Sequence, residues 1–396
     1  MKIKRKFSNN NEKIFLGLYA LFIIVDILDN SLYSVHFFWR VTIIFEMLFL
    51  LLLILSRRTF QSYQLAIFVV GLTLFAIAAF STGREYLIVY ALFLINSDLT
   101  AFENIVRVSK NSSIITTLVV LLSSIVGIIP NMQFQERMRT AYGFGFSYYS
   151  ALPFIVFFIM LMDFYCNNSN NRKNTLSKYF LWGIIQYIVY YFSTLRLTLY
   201  LSIISIGLFF IVDKVKGLKL NKKFFVFGSI ILFPLGACIC AYVMYMYNAS
   251  NVIWLTFNRF LNNRLYLSHL GLQRYPLKLF GQKIVTNTVI KNGYVQTSNF
   301  FYIDSGFVYS LLGYGVVFTV FLIIMYSYIM YSACKKNQKA IFIWGVMVCI
   351  FSLVNNTWVS ITYNPLLFAF PLMIRESLRK NKVIKVVKKE NYYEKL

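Results

Sequence analysis

Acidic residues are scarce in this chain. Asp and Glu number 14 against 39 Lys and Arg, and charged residues make up only 13% of the 396 while hydrophobic ones make up 59%. A soluble domain could not cover itself with so little polar surface, which places the chain among integral membrane proteins. Histidine is nearly missing, at two residues. There is no His-Glu-x-x-His helix, no Gly-Lys-Ser/Thr phosphate loop and no nucleophile elbow, which argues against zinc proteolysis and ATP-driven transport. The five cysteines (Cys166, Cys238, Cys240, Cys334 and Cys349) lie in or beside apolar runs, so neither a disulfide framework nor a zinc spacing emerges. No small-residue cleavage pattern follows the first apolar run, so the basic Met1–Lys6 stretch reads as the entry to a span.

What the chain has in abundance is apolar runs of membrane-spanning length. A hydrocarbon core of about 30 Å takes roughly 20 apolar residues per helix. On that measure the expectation is an all-α polytopic membrane protein of about twelve spans, several of them short and one of them open to a re-entrant reading. Residues 1–246 hold the first nine, 247–306 form one large polar loop, 307–374 hold the last three (Phe307–Tyr331, Ala340–Leu353 and Ile361–Ile374), and 375–396 are a basic tail. With the N-terminus in the cytoplasm, 28 of the 39 cations fall on cytoplasmic segments, which favours both termini inside and the long loop outside. The net charge of +25 is then a topology signal. Nucleic acid is not an expected partner, because no polar domain interleaves aromatics with cations.

The two sides differ in the kind of cation. Arginine supplies 7 of the 28 inside but 8 of the 11 outside, where the set includes Arg40, Arg84, Arg137, Arg139, Arg196 and Arg264. Lysine suffices to orient a span, whereas the planar guanidinium fork grips phosphate or carboxylate bidentately. An anion site on the outer face is the functional reading of this asymmetry. Within the long loop, Trp254, Phe257 and Leu261 mark one helical face and Leu265, Leu267 and Leu272 a second, ended by Pro276. Asn262 and Asn263 stand where caps would start the second helix, putting Arg264 at its N-terminus. Arg274, near the end of that helix, and His269 within it are further contacts for an anionic substrate or its proton. Asp304 opens the next span, either as a base or as its cap. Mid-membrane Glu46 reads as a buried carboxylate, protonated and structural or else functional. Residues 96–112 suggest an amphipathic helix on the cytoplasmic surface, with Leu99, Phe102, Val106 and Val108 facing lipid.

Four elements in a fixed order resemble those of the Wzy-type polysaccharide repeat-unit polymerases and, more distantly, of the O-antigen ligases. They are Tyr142-Gly143-Phe144 before the middle spans, Thr194-Leu195-Arg196-Leu197-Thr198 at the outer start of a span, Asn263-Arg264 followed by Pro276 and Phe280-Gly281, and Asp304-Ser305-Gly306-Phe307 followed by Gly313-Tyr314-Gly315. The chain departs from the pattern at Asn263, where Gly is usual, and at Asp304-Ser305, where His/Asp-Asn is usual. The resemblance implies a GT-C-like membrane glycosyltransferase that takes no cofactor and no metal. Its partners would be polyprenyl-pyrophosphate-linked oligosaccharides and membrane lipid, with a flippase and a chain-length regulator as protein neighbours. Arg196 and Arg264 would hold the pyrophosphate, with Arg137, Arg139 and Arg274 in support, and Asp304 would accept the proton of the acceptor hydroxyl. The alternatives are a lipid-linked oligosaccharide flippase or other transporter, a ligase-type glycan transferase, and a cell-wall glycosyltransferase.

Overall fold

The structure, a computed structural model, describes residues 2–33, 35–56, 62–136, 139–169, 174–215, 217, 219–287, 290–291, 294–295 and 300–378. The chain is an all-α membrane protein. Its helices in order are α1 (Lys2–Asp29), α2 (His36–Leu55), α3 (Ser62–Thr82), α4 (Tyr86–Asn96), α5 (Phe102–Ile125), α6 (Ala151–Ser169), α7 (Leu176–Ser193), α8 (Arg196–Lys214) and α9 (Lys223–Tyr245). They continue with α10 (Val252–Phe260), α11 (Arg264–Arg274), α12 (Gly306–Tyr309), α13 (Val316–Lys335), α14 (Lys339–Ser352) and a last helix, α15, over 369–378. Among the described residues six helices (α2, α5, α6, α8, α9 and α13) are long and apolar enough to cross a bilayer, and three shorter apolar helices accompany them. Their outward faces are apolar too: Leu52, Leu122, Phe224 and Val320 all stand exposed, as side chains against lipid would.

The connections sort to two ends. At one end the α1–α2 link meets the segment just before α6, with Leu32 N donating to Gly145 O at 2.8 Å and Ser147 N to Asn30 O at 3.2 Å. The α3–α4 turn reaches Tyr314, and the α9–α13 connection carries α10 and α11. At the other end Lys110 and Lys178 share Asp163 at 3.0 and 2.6 Å, Tyr179 and Asn174 bond Asp213, and Arg375 Nη1 donates to Asp98 O at 2.5 Å.

Three expectations are corrected. Residues 96–112 do not form a separate surface helix. After a short 3-10 turn at Ser97–Leu99, α5 begins at Phe102 and runs straight into the apolar stretch read as the fifth span. Val106 is buried, and Leu99, Phe102 and Val108 pack on the core, so the apolar edge meets protein where lipid was expected. The stretch Phe307–Tyr331 is not one helix: α12 gives way to a π turn at Ser310–Tyr314, and α13 restarts after Gly315 at φ +95°. The final stretch, Ile361–Ile374, is a turn and a 3-10 segment at Pro365–Phe368 before α15.

Irregular backbone at membrane depth survives only where protein satisfies it. The segment from 353 to 368 meets that condition. Tyr19 Oη donates to Ile361 O at 2.7 Å, Tyr326 Oη donates to Trp358 O, and Arg264 Nη1 donates to Val354 O at 3.0 Å. Phe233, Tyr326 and Trp358 stack beneath it, with ring centroids 4.5 Å apart for the first pair and 5.5 Å for the second. Glu46 lies on α2 at 0% exposure, and neither of its carboxylate oxygens has a hydrogen-bond partner among the described residues.

Candidate active site

Two helices that start with arginine define the site. α7 ends at Thr194, whose φ of +59° turns the chain sharply, and α8 begins two residues later at Arg196. Left-handed backbone is costly for a β-branched residue, so the turn is a strained one held by its surroundings. The first turn of α8 has no side-chain cap: Leu195, its N-cap, offers none. α11 begins at Arg264 after Asn262 and Asn263, at φ +55° and +62°. Asn tolerates this region better than other non-glycine residues, which is the physical reason Asn262 and Asn263 can both sit at positive φ here. Asn263 does not cap α11 with its own side chain. Asn258 does so from the preceding helix, its Oδ1 accepting from Tyr266 N at 3.0 Å while its Nδ2 donates to Asn263 Oδ1 at 3.0 Å. The junction of α10 and α11 is thereby locked, and Arg264 with it.

A third arginine arrives on a hairpin that hydropathy alone does not announce. β1 (Gln133–Glu136) and β2 (Arg139–Tyr142) pair antiparallel with Gln133 opposite Tyr142 and Glu136 opposite Arg139. Tyr142 and Phe144 pack their rings on Phe192 of α7, at 6.3 and 5.4 Å, which ties the hairpin to the α7–α8 turn.

Arg139, Arg196 and Arg264 line one cavity of about 420 Å³, together with Tyr190, Tyr200, Phe260 and the backbone of Thr194 to Leu197. Pockets for small ligands run from about 300 to 1,000 Å³, so the space suits a compact head group. Among the described residues the one carboxylate paired with any of these three arginines is Asp304, whose Oδ2 lies 3.6 Å from Arg264 Nε. That contrasts with the opposite end of the bundle, where Lys110 and Lys178 converge on Asp163. Helix N-termini add partial positive charge to the same space. The cavity is therefore basic, lined by three arginines and by the starts of two helices, α8 and α11.

Arg264 is held from behind. Its Nη1 donates to Val354 O at 3.0 Å, so the irregular 353–368 segment positions the guanidinium. Asp304 approaches Arg264 from the loop before α12 and does not itself line the cavity. Burial pushes its carboxyl above the usual carboxylate range, and Arg264 pulls part of that back. It is not the cap of α12, since Ser305 takes that place, its Oγ accepting from Val308 N at 3.4 Å.

The remaining long-loop motifs interlock. The Leu279-Phe280-Gly281 turn docks into the break before α13, with Gln282 N donating to Gly313 O at 2.9 Å and Val317 N to Leu279 O at 3.1 Å. A Cβ on Gly281 would stand 2.2 Å from Gly313 O, and one on Gly315 would stand 2.3 Å from Gly281 N. Both glycines are at positive φ, so this backbone-on-backbone contact is closed to any side chain. It pins the loop to the bundle beside Asp304.

Other expected contacts fall elsewhere. Arg274 lies over the Phe301 ring, 4.8 Å from its centroid, away from the cavity lining. His269 has both ring nitrogens engaged, one with Met244 O and one with Gln273 Nε2, each at 2.9 Å, so it fastens α11 to the end of α9. Arg137 lies outside the described residues. The sequence reading passed over Arg84, whose Nη1 donates to Tyr314 Oη at 3.0 Å; its place among the outer arginines was the one signal available. Among the described residues no three His, Cys, Asp or Glu side chains gather as a metal ion would require. No family model matches the chain, and no curated protein or solved structure shows significant similarity to it.

Proposed function

We propose that the protein is a glycosyltransferase that joins polyprenyl-pyrophosphate-linked oligosaccharide repeat units into a capsular or extracellular polysaccharide. On this reading it crosses the cytoplasmic membrane about twelve times and works on the outer face. The observation that carries it is the convergence of Arg139, Arg196 and Arg264 on one cavity, with Asp304 3.6 Å from Arg264. A base and an anion clamp are the two parts this reaction asks for. The oxygen of an acceptor sugar hydroxyl attacks the anomeric carbon of the donor glycan and forms the new glycosidic bond. The bond from that carbon to the phosphate oxygen breaks, and polyprenyl pyrophosphate leaves with the electron pair. The hydroxyl proton passes to the Asp304 carboxylate, which hydrogen-bond reach would allow once substrate is seated.

The charge that develops on the departing pyrophosphate is met by guanidinium forks and helix N-termini, fixed before the substrate arrives. Their fixity matters: the Val354 carbonyl, the Asn258 cap and the Thr194 turn each hold an arginine or its helix in place, so little reorganisation accompanies the reaction. The apolar part of the lining, from Tyr190, Tyr200 and Phe260, suits the first isoprene units of a lipid carrier.

The test is a strain lacking the gene, complemented with wild type or with Asp304→Asn. Deletion should build up single repeat units on lipid, wild type should restore polymer, and Asp304→Asn should leave slow residual polymerisation, since a general base is worth about 10²–10⁴-fold. No build-up of lipid-linked units in the deletion strain sinks the reading.

A further inference from the structure

Near Asp304 lies a second polar cluster whose residues do not line the arginine cavity. Arg84, in the turn between α3 and α4, is half-buried with its guanidinium 4.5 Å from the Tyr309 ring centroid and its Nη1 bonded to Tyr314 Oη at 3.0 Å. Its partners among the described residues are phenols; no carboxylate is bonded to it. A guanidinium carries five N–H donors, and one is accounted for here. Stacking on a phenol face offsets part of the cost of taking the cation out of water.

Two further phenols, Tyr86 and Tyr302, are near enough to Arg84 to act on its charge. Tyr302 keeps accessible surface, and its hydroxyl accepts from Asn356 Nδ2 at 3.1 Å, which leaves its own proton to donate. Burial, and the nearby Asp304 charge after it, raise the Tyr302 phenol, so it stays a neutral donor. Tyr86 is half-buried, its ring 5.2 Å from that of Tyr90 and 6.1 Å from that of Trp39. Trp39 in turn donates to Asp26 at 3.2 Å. Hydroxyl donors and aromatic faces around one cation make poor company for an isoprenoid chain. A second pyrophosphate would find a single guanidinium there and the Asp26 carboxylate nearby. The combination suits a ring bearing several hydroxyls, which can lie on an aromatic face and both give and take hydrogen bonds at its edge.

Position narrows the ligand further. Asp304 has Arg264, which lines the arginine cavity, 3.6 Å away, and Tyr302, two residues away in the same loop, close enough to feel the charges of both Asp304 and Arg84. We propose that Arg84 and Tyr302, with Asn356 and Tyr86, form a saccharide subsite that holds the acceptor sugar with its reacting hydroxyl at Asp304. The inference rests on the polymerase reading above and adds to it where the acceptor sits and which residues hold it.

The experiment uses the full-length protein in lipid nanodiscs and two probes bound separately. One is undecaprenyl pyrophosphate without sugar; the other is the oligosaccharide released by mild acid from the lipid-linked units that accumulate in the deletion strain. Arg84→Lys and Tyr302→Phe should each weaken binding of the saccharide by roughly 10-fold, the scale of a lost hydrogen bond, and leave undecaprenyl pyrophosphate within twofold of wild type. Arg196→Lys should do the reverse. Tyr302→Phe removes a single oxygen and preserves packing, so it remains informative should Arg84→Lys disturb the fold. Saccharide binding unchanged in Tyr302→Phe, or both probes weakened alike, overturns the subsite while the polymerase reading stands. Wild type that binds neither probe overturns both.

Discussion

Replacing Arg264 by lysine separates charge from geometry. The guanidinium donates Nη1 to Val354 O at 3.0 Å while its Nε faces Asp304 Oδ2 at 3.6 Å, and its side chain is only 14% exposed. Lysine keeps one positive charge but has no fork, so it cannot hold the Val354 carbonyl and face the cavity together. A hydrogen bond to a charged donor is worth about 1.5–3 kcal/mol, which as a loss of positioning corresponds to roughly 10–150-fold in rate. Removing one preorganised stabiliser of developing charge costs about 10²–10³-fold in characterised enzymes, and Arg264→Lys should fall in the overlap of these ranges. The assay is turnover of purified lipid-linked repeat units in nanodiscs, with kcat and KM determined separately. The loss should appear in kcat and in kcat/KM alike, because the interaction matters most as the leaving group departs. A variant within threefold of wild type in both constants refutes the clamp.

The same residue tunes Asp304. Burial raises this carboxyl above its ordinary range and Arg264 lowers it, so the base is ionised only above a pH higher than usual for aspartate. Activity that depends on the carboxylate therefore falls as pH drops through that raised value. Arg264→Gln removes the lowering partner and should move the acid limb of the pH–rate profile to higher pH; a limb that stays put or moves down rules out Asp304 as the group it reports.

Three further outcomes follow from local geometry. Thr194→Gly should raise the melting temperature, by the equivalent of about 1 kcal/mol for relieving left-handed backbone, while lowering kcat because Arg196 loses its rigid start; a lowered melting temperature contradicts the strain argument. Gly281→Ala forces a Cβ to within 2.2 Å of Gly313 O. It should cost at least about 1–3 kcal/mol, seen as reduced yield and thermal midpoint, and an unchanged midpoint would show that the loop is not seated on the α12–α13 break. Glu46→Leu should keep full polymer output and raise the thermal midpoint, since neither carboxylate oxygen of buried Glu46 has a hydrogen-bond partner among the described residues; loss of polymer would give it a working role.

The order of helices, the long loop with its two internal helices and the arginine-rich character of one set of connections are all legible in the sequence. Hydropathy and helical period are local properties, and a lipid-exposed or loop segment carries them without help from the fold. The contact of Phe280-Gly281 with Gly313-Tyr314-Gly315 is not legible in the order of these motifs along the chain. Where the sequence reading failed, distant packing overrode local pattern. The edge through Val106 found protein where lipid was expected, and the stretch from Ile361 was apolar enough for a span yet begins as irregular backbone, because Tyr19 satisfies the Ile361 carbonyl and Tyr326 that of Trp358 just before it.

The site itself belongs to the tertiary structure. Composition shows that arginines collect in certain connections, but their spacing in the chain, from Arg139 to Arg196 to Arg264, says nothing of a shared cavity. That arrangement depends on the hairpin resting on Phe192, on Asn258 reaching across to cap α11, and on a carbonyl at Val354 ninety residues away along the chain from Arg264. Each is a contact between segments remote in sequence, and packing of the whole bundle brings them together. For the same reason Arg84 was one cation among eleven until Tyr309 and Tyr314 closed around it.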